Sequence, residues 1–323
     1  MLGDDYNWIF TYDDPEDYSY TKEDKENKEV RVFSTWIADR PVYTCPLRPV
    51  NALFVISAFQ TIFKFKEYSS VTFRIIKHMI SACLLQLVFF FIGAFMTFGN
   101  SNFNNTFEKI AGSLVQSSWI LYLCLELTLA IDRMITFVRS HLTSSISYYL
   151  LAVSWTCGLA HTVTLLLPDF AVRYCIKQVN SCFNWYFDRQ SGSLKMEQYE
   201  SYALFAIECA VLLCYTVVFT SLVKMRKLSS AERKISSFRM EIRILTVAVT
   251  VFIYEATLIM FLYYGSRFLE FVPGAEIAVN MVWILDSGLF SIATIIVNIS
   301  LRNKILCMFP GKTHLTAVVS FYS

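Results

Sequence analysis

The chain has 323 residues, of which 55% are apolar and 16% aromatic, and its mean hydropathy is +0.46. Charged residues make up 17% of it, fewer than the roughly 25% of soluble domains, and the formal net charge of +2 gives no indication of a nucleic-acid partner. Long apolar segments alternate with short polar ones, which indicates a helical membrane protein with several spans and argues against an ordinary soluble domain.

Residues 1–48 form an acidic leader with 11 Asp and Glu residues against 6 Lys and Arg residues. The stretch DDPEDYSYTKEDKENKE carries too little apolar surface to fold alone, so we predict an extracellular, disordered leader. The first residues, MLGDDYNWIF, lack the basic and apolar regions of a cleaved signal peptide. The first span would therefore act as an uncleaved signal anchor.

Seven apolar segments follow the leader, and each is predicted to be a transmembrane helix. Their approximate bounds are 49–64, 75–98, 110–132, 146–168, 201–223, 244–264 and 277–301. All but the first reach the roughly 20 residues that a hydrocarbon layer of about 30 Å requires. The prediction is an all-α membrane protein, a seven-helix transmembrane domain over 49–305 with a short and uncertain first span. A short cytoplasmic tail, 306–323, completes the chain.

The basic residues predict the orientation in the membrane. If the N-terminus is outside, the inside segments hold 16 Lys and Arg residues and the three outside loops hold six. Because Lys and Arg collect on the cytoplasmic side, we predict an outside N-terminus and an inside C-terminus. The third inside loop, 224–243, is the most basic stretch, and its second half is predicted to extend span six as a helix.

The predicted outside segments carry a glycosylation motif and three cysteines. Asn104-Asn105-Thr106 is an N-glycosylation acceptor. Cys45, Cys175 and Cys182 would face an oxidising compartment, so a disulfide among them is expected with one cysteine left over. The six other cysteines lie within or at the inner ends of spans, and no paired CxxC motif occurs. We therefore expect neither a metal site nor a cofactor.

Span three carries the motif on which a family resemblance rests. The stretch GSLVQSSWILYLCLELTLAIDRMITF places Arg133 at the inner end of that span, directly after Asp132. The pair resembles the (D/E)R(Y) motif of the G-protein-coupled receptors. Gly112, Trp119, Leu129 and Arg133 resemble the span-three pattern of nematode serpentine chemoreceptors of class T, or of a near relative such as class X, although Asp132 stands where that family usually has Asn.

Two further patterns extend the resemblance to about residues 40–305. Tyr43-Thr44-Cys45 resembles the Tyr-x-Cys that precedes span one in that family. Trp283, Gly288, Asn298 and Arg302 resemble its span-seven pattern. Span seven departs from the wider superfamily because it has no proline and hence no NPxxY motif.

The resemblance implies a chemosensory receptor of the plasma membrane, with a sensory cilium as a candidate location. Its implied partners are a heterotrimeric G protein, a small-molecule ligand and membrane lipid. Asp132, Arg133, Asn298 and Arg302 are the implied residues of coupling and of an activation lock, in which the acid holds Arg133 at rest. The alternative for Arg133 is a side chain that snorkels to lipid phosphates. The loop 224–243 would contact the G protein or anionic lipid.

Four acids lie inside the predicted spans, where a central charge costs roughly 2.5–3.5 kcal/mol: Glu126, Glu208, Glu255 and Asp286. One hypothesis is that the last three line a ligand cavity open to the outside, with Trp283 as an aromatic wall and His161 as a possible partner of the acids. Such a cavity would favour cationic or hydrogen-bond-donating ligands. The alternative is hydrogen bonding between helices. Glu126 is expected to be buried and neutral or hydrogen-bonded, and Glu255 and Asp286 to lie close enough to share a proton.

Three classes of function compete for this pattern. The first is the chemosensory receptor. The second is an ion or proton channel or transporter that uses the intramembrane acids, although no repeat and no pair of broken helices supports it. The third is a membrane enzyme, which is not expected because no HExxH or GxSxG motif occurs.

Overall fold

The structure is a computed structural model that describes residues 55–56, 60, 71–138, 143–175, 185–228, 235–264, 275–297 and 302–305. These ranges contain six long helices and a β-hairpin. In chain order they are α1 (Val71–Gly99), α2 (Asn105–Val138), α3 (Thr143–Leu166), β1 (Val172–Tyr174), β2 (Trp185–Phe187), α4 (Ser191–Leu228), α5 (Ile235–Tyr264) and α6 (Ala275–Val297). Helices α1 to α6 coincide with predicted spans two to seven. The leader, the tail 306–323 and most of span one lie outside the described residues.

Four of the described helices are long and apolar enough to cross a membrane: Val71–Gly99, Asn105–Phe137, Ser145–Leu166 and Ser191–Lys224. The apolar parts of α5 and α6 are shorter, at Leu245–Phe261 and Met281–Val297. In lipid, a helix satisfies every backbone N–H and C=O group within its own segment. Apolar sequences rich in Phe, Val and Ile therefore fold as helices here despite the β propensity of those residues.

Helix α2 is the central helix of the described bundle. It packs against α1, α3 and α4 along its length and against β1 near its start. Leu123, Leu125 and Leu129 are at most 1% exposed. Every functional side chain of α2 therefore faces protein, and the partner it meets depends on its level along the helix.

The turn between α1 and α2 is fixed by two capping arrangements. Asn100 has a φ of 45°, and the Ser101 N–H donates to the Met96 carbonyl (3.1 Å). This is the left-handed C-terminal cap that Asn tolerates better than most residues. At the start of α2, the Asn104 side-chain oxygen accepts from the Thr106 N–H (3.0 Å), which makes Asn104 the N-cap.

The hairpin was not predicted from the sequence. Its antiparallel strands pair Val172 with Phe187 and Tyr174 with Trp185. Buried Glu108 of α2 binds β1, because its carboxylate accepts from the Tyr174 N–H (2.8 Å). Gly112, one turn further along α2, has no Cβ, which lets the Val172 carbonyl lie against the helix.

Arg173 adds an ion pair to the hairpin. Its Nε donates to Asp188 Oδ2 (2.7 Å), and its Nη1 lies 3.5 Å from Glu108 Oε2. The hydrogen bond to Asp188 raises the pKa of Arg173 above its usual range. The hairpin is thus bound to the end of α2 by both a buried carboxylate and a partly exposed ion pair.

The predicted spans agree with the helices in position, but several begin or end inside the observed helices, while predicted span four runs two residues past Leu166, the last residue of α3. Helix α2 begins at Asn105 and ends at Val138, whereas the prediction covered 110–132. Helix α4 begins at Ser191, ten residues before predicted span five. The predicted extension of span six is confirmed from Ile235 onward, where α5 begins.

Candidate functional site

Three groups of polar side chains lie along α2 at different levels. The rise of 1.5 Å per residue separates Gln116 from Glu126 by about 15 Å and Glu126 from Arg133 by about 10 Å. Each group binds a different set of neighbouring helices. Functional residues distant in sequence are therefore brought together by this one helix.

The first group is the ion pair Asp132–Arg133, whose members are 1% and 5% exposed. Arg133 Nη2 donates to Asp132 Oδ2 (2.7 Å), and Arg133 Nε donates to the same oxygen (3.2 Å). Thr72 of α1 donates to Asp132 Oδ2 (3.0 Å) and accepts from Arg133. Ser147 of α3 donates to Asp132 Oδ1 (2.6 Å).

This arrangement leaves both charges compensated inside the protein. Removing one partner of a buried pair typically costs 3–5 kcal/mol because the other charge is left unpaired. Asp132 also connects three helices, since it binds Thr72 of α1 and Ser147 of α3. The Asp132–Arg133 pair is therefore a point where a change of helix packing and a change of ion pairing must occur together.

The second group is a cluster of three glutamates, which we call the glutamate triad. Carboxylate oxygens of Glu126 in α2, Glu208 in α4 and Glu255 in α5 lie within 4.8 Å of one another. These residues are 2%, 7% and 1% exposed. Among the residues that the structure describes, no other residue donates a hydrogen bond to these six carboxylate oxygens, whereas the carboxyl groups of Glu126 and Glu255 are close enough to hydrogen-bond to each other. The triad concentrates negative charge, and no basic side chain is bonded to it within the described ranges.

Other polar groups surround the triad. Asp286 of α6 is 2% exposed and interacts electrostatically with Glu126 and Glu255. The hydroxyl groups of Tyr122 and Tyr215 are buried, lie within electrostatic range of the same two glutamates, and have no hydrogen-bond partner among the described residues. The triad therefore lies in a buried polar region in which the hydroxyls of Tyr122 and Tyr215 have no partner among the described residues, although buried hydroxyls normally have one.

Trp283 belongs to an aromatic cluster next to this region. Its ring lies 5.9 Å from that of Trp119 and 5.4 Å from that of Phe90, both in edge-to-face geometry. Such aromatic pairs add about 0.5–1.5 kcal/mol each beyond their buried area. The cluster connects α6 with α1 and α2 on the hairpin side of the triad.

The third group surrounds His161. Its Nδ1 lies 2.9 Å from the Ser117 hydroxyl, and its Nε2 lies 3.6 Å from Glu200 Oε2. Gln116 Nε2 donates to Glu200 Oε1 (2.5 Å). His161 was predicted as a partner of the intramembrane acids, and the structure places it with Glu200, an acid that the sequence analysis did not single out.

The predicted site residues thus belong to separate groups of side chains. Glu208 and Glu255 lie together with Glu126, which had been assigned to no ligand site, and Asp286 lies nearby. In the described part of the chain, no Lys, Arg or His side chain is bonded to these carboxylates. Spacing along one helix does not reveal such a cluster, because its members come from three helices. The only signal in the sequence was four acids in apolar spans.

The remaining predicted residues have simpler placements. Arg302 is exposed, and Asn298 lies outside the described residues. Asn104 is exposed at the start of α2, where a glycan could be attached. Cys175 is buried beside the hairpin, while Cys45 and Cys182 lie outside the described ranges. The expected disulfide therefore stays a prediction.

The six long helices of the described ranges, in this order, and the match to a solved structure define the fold class, an all-α membrane-protein bundle of the seven-helix type found in rhodopsin. The crystal structure of squid rhodopsin is similar to this chain, with a TM-score of 0.66, 14% sequence identity, and coverage of 94% of this chain and 91% of that chain. No family model and no curated protein matches the sequence. The likeness to squid rhodopsin establishes the fold, and the likeness to class T chemoreceptors stays a prediction.

Proposed function

We propose that this chain is a chemosensory G-protein-coupled receptor of the plasma membrane, with its N-terminus outside, that binds a small molecule and activates a heterotrimeric G protein. The observation that carries the proposal is the buried Asp132–Arg133 pair, which shares hydrogen bonds with Thr72 and Ser147. The fold of squid rhodopsin supports it, because that fold belongs to a receptor class.

The Asp132–Arg133 pair would act as a two-state lock. In the resting state Asp132 compensates Arg133 and holds α1, α2 and α3 together. In the active state Arg133 would leave Asp132 and meet the G protein at the inner end of the bundle. A ligand shifts this equilibrium only by binding the two states with different affinities.

The lock is tested by replacing Asp132 with Asn. Asn keeps the shape and can still accept from Ser147, but it no longer neutralises Arg133, so the resting state loses its ion pair. We expect ligand-free signalling to rise several-fold, measured by nucleotide exchange on a panel of Gα subunits at equal surface expression. Ser147→Ala should give a smaller rise, because it removes one hydrogen bond to the Asp132 carboxylate, worth about 1.5–3 kcal/mol, and leaves the ion pair in place.

Glu200→Gln is the matched control, because it changes a buried acid at the other end of the bundle. Basal signalling that stays unchanged in Asp132→Asn, at equal surface expression, would contradict the lock. A rise of the same size in Glu200→Gln would show a general loss of packing instead.

The proposed ligand is a cationic or hydrogen-bond-donating small molecule that reaches Glu208, Glu255 and Asp286, with Trp283 as an apolar wall. Buried carboxylates without donors favour such groups, because a hydrogen bond to a charged group contributes about 1.5–3 kcal/mol. His161 would belong to the ligand site only as part of the separate group with Glu200. A screen of primary and quaternary amines is the direct search.

The same acids provide the test of the ligand site. Glu208→Gln and Asp286→Asn should each weaken activation by an amine by roughly tenfold or more, which corresponds to about 1.4 kcal/mol. An amine that activates both variants at the concentration needed for the unmodified chain would contradict the site. Asp132→Asn serves as the contrast, because it should change basal activity while leaving the ligand contacts in place.

The second candidate function is an ion or proton pathway, which the glutamate triad favours because pumps and channels use buried carboxylates. The two functions predict different results when ion currents and proton flux are measured. A pathway predicts currents or proton flux that disappear in Glu255→Gln, without any G protein. The receptor predicts no such flux.

A further inference from the structure

We propose that Glu126, Glu208 and Glu255 form a binding site for a divalent cation of the size of Ca²⁺, held between α2, α4 and α5. The site shares Glu208 and Glu255 with the proposed ligand region, but it does not rest on signalling. The first observation is geometric, since one oxygen of each carboxylate lies within 4.8 Å of the others.

The spacing of the triad suits Ca²⁺ better than Mg²⁺. Ca²⁺ binds oxygen at about 2.3–2.6 Å, so two ligands on opposite sides of the ion lie up to about 5 Å apart. Mg²⁺ binds at about 2.0–2.1 Å and allows only about 4.2 Å. The oxygens of the triad all lie within 4.8 Å of one another, which a Ca²⁺ shell can accommodate.

Charge favours a divalent ion. With all three carboxylates ionised, the triad would carry a charge of −3, and Asp286 lies within electrostatic range of Glu126. Among the described residues, the triad has no donor from outside its own carboxyl groups, so the ion would replace a proton shared between Glu126 and Glu255. Ca²⁺ would neutralise two of these charges at once, in a region where each buried charge is costly unless paired.

Two tyrosines supply an independent observation. The hydroxyls of Tyr122 and Tyr215 come from α2 and α4, lie in the core, and have no hydrogen-bond partner among the described residues. Both interact electrostatically with Glu126 and Glu255. Buried hydroxyls normally have partners. They would complete the oxygen shell of the ion or hydrogen-bond to the carboxylates that bind it.

The glutamate triad does not match the short motifs by which metal sites are recognised in a sequence. Metal sites are usually found from closely spaced ligands such as CxxC or HExxH. Here the ligands are separated by more than 40 residues along the chain at each step. The expectation of no metal site rested on the absence of such short motifs, which do not reveal a site built from glutamates on three helices.

The test uses the purified full-length chain in detergent, stripped with a chelator at neutral pH. Thermal unfolding is followed over concentration series of CaCl₂ and MgCl₂ at constant ionic strength. We expect a saturable rise of about 5 °C or more at a hundredfold excess of Ca²⁺ over its Kd. Mg²⁺ should bind more weakly, because it demands near-ideal octahedral geometry and gives up its waters reluctantly.

Matched variants locate the ion. Glu126→Gln and Glu255→Gln should lose most of the Ca²⁺-dependent rise, and they are expected to fold because they remove repulsion between acids. Glu200→Gln should keep the full rise, because its carboxylate lies in the His161 group. As a second measurement, Tb³⁺ luminescence excited through nearby tyrosines should be displaced by Ca²⁺ in the unmodified chain and be weak in Glu255→Gln.

Three results would overturn the site. The first is a melting temperature that is insensitive to Ca²⁺ but rises on acidification, which would mean that protons alone neutralise the triad. The second is a Ca²⁺ response that survives in both Gln variants. The third is an equal loss in Glu200→Gln. The assay contains no G protein and no organic ligand, so these results leave the proposed receptor function to its own tests.

Discussion

The close approach of β1 to α2 gives a prediction whose size follows from the structure. A Cβ built on Gly112 would lie 2.1 Å from the Val172 carbonyl oxygen. Ordinary contacts begin near 3.5 Å, so Gly112→Ala must displace β1 by more than about 1 Å. The neighbouring bond from the Tyr174 N–H to Glu108 would be strained in the same movement.

The expected cost of Gly112→Ala is the difference between two terms. Ala gains about 1 kcal/mol over Gly inside a helix. Forcing atoms into a well-packed region typically costs 1–3 kcal/mol, and here the clash is with backbone, which relaxes less than a side chain. We expect a net loss of about 2 kcal/mol, or a melting temperature lower by roughly 5 °C.

The assay is thermal unfolding of the purified chain in detergent, followed by tryptophan fluorescence. Gly99→Ala is the matched control, because no atom lies within 4 Å of a Cβ built there. It should leave the melting temperature unchanged or raise it. A Gly112→Ala chain that melts at or above the unmodified chain would refute the packing of β1 against α2.

The hairpin end of the molecule gives two further predictions. Asn104→Asp should remove the glycan, which is seen as faster migration on a gel, without loss of stability, because Asp is as good an N-cap as Asn. Asn104→Ala should remove the glycan and also lower the free energy of unfolding by about 1 kcal/mol. Migration that does not change would place Asn104 away from the glycosylation machinery and contradict the proposed orientation. Glu108→Gln should lower stability by about 1–3 kcal/mol because buried bonds to the hairpin are weakened, whereas Arg173→Gln should cost under about 1 kcal/mol at a partly exposed pair. Equal melting temperatures for these two variants would show that the buried carboxylate does not hold the hairpin.

Most of the fold could be predicted because lipid leaves few choices for an apolar segment. A run of about 20 apolar residues becomes a helix whatever its intrinsic propensity, so six predicted spans coincide with α1 to α6. The bounds were short because α4 continues through polar residues such as Glu197 and Glu200, where hydropathy falls but the backbone bonds continue. The three-residue strands β1 and β2 carry too few residues to show a period.

The pairing of side chains could be predicted only where the partners are local. Asp132 and Arg133 are adjacent, so their bond was foreseen, but the contributions of Thr72 and Ser147 depend on how α1 and α3 lie against α2. Glu126 was placed by its depth on its own helix, without Glu208 and Glu255. The depth of a residue along its own helix does not show which faces of neighbouring helices meet. The glutamate triad forms because one face each of α2, α4 and α5 meet.

The two proposed sites share α2, and this makes their coupling measurable. The glutamate triad joins α2 to α4 and α5, whereas the Asp132–Arg133 pair joins α2 to α1 and α3. Any signal between them must therefore change the position of α2 relative to one set of neighbours. Binding linkage is reciprocal, so if an activating amine loosens the Asp132–Arg133 pair, then Asp132→Asn must raise amine affinity, by at most the factor with which the amine favours the active state. That factor is usually about five- to 150-fold, and the rise in affinity should approach it as the variant becomes more active without ligand. If basal signalling rises in Asp132→Asn while the amine Kd stays constant, the lock and the ligand site are independent, and the ligand must act through other contacts.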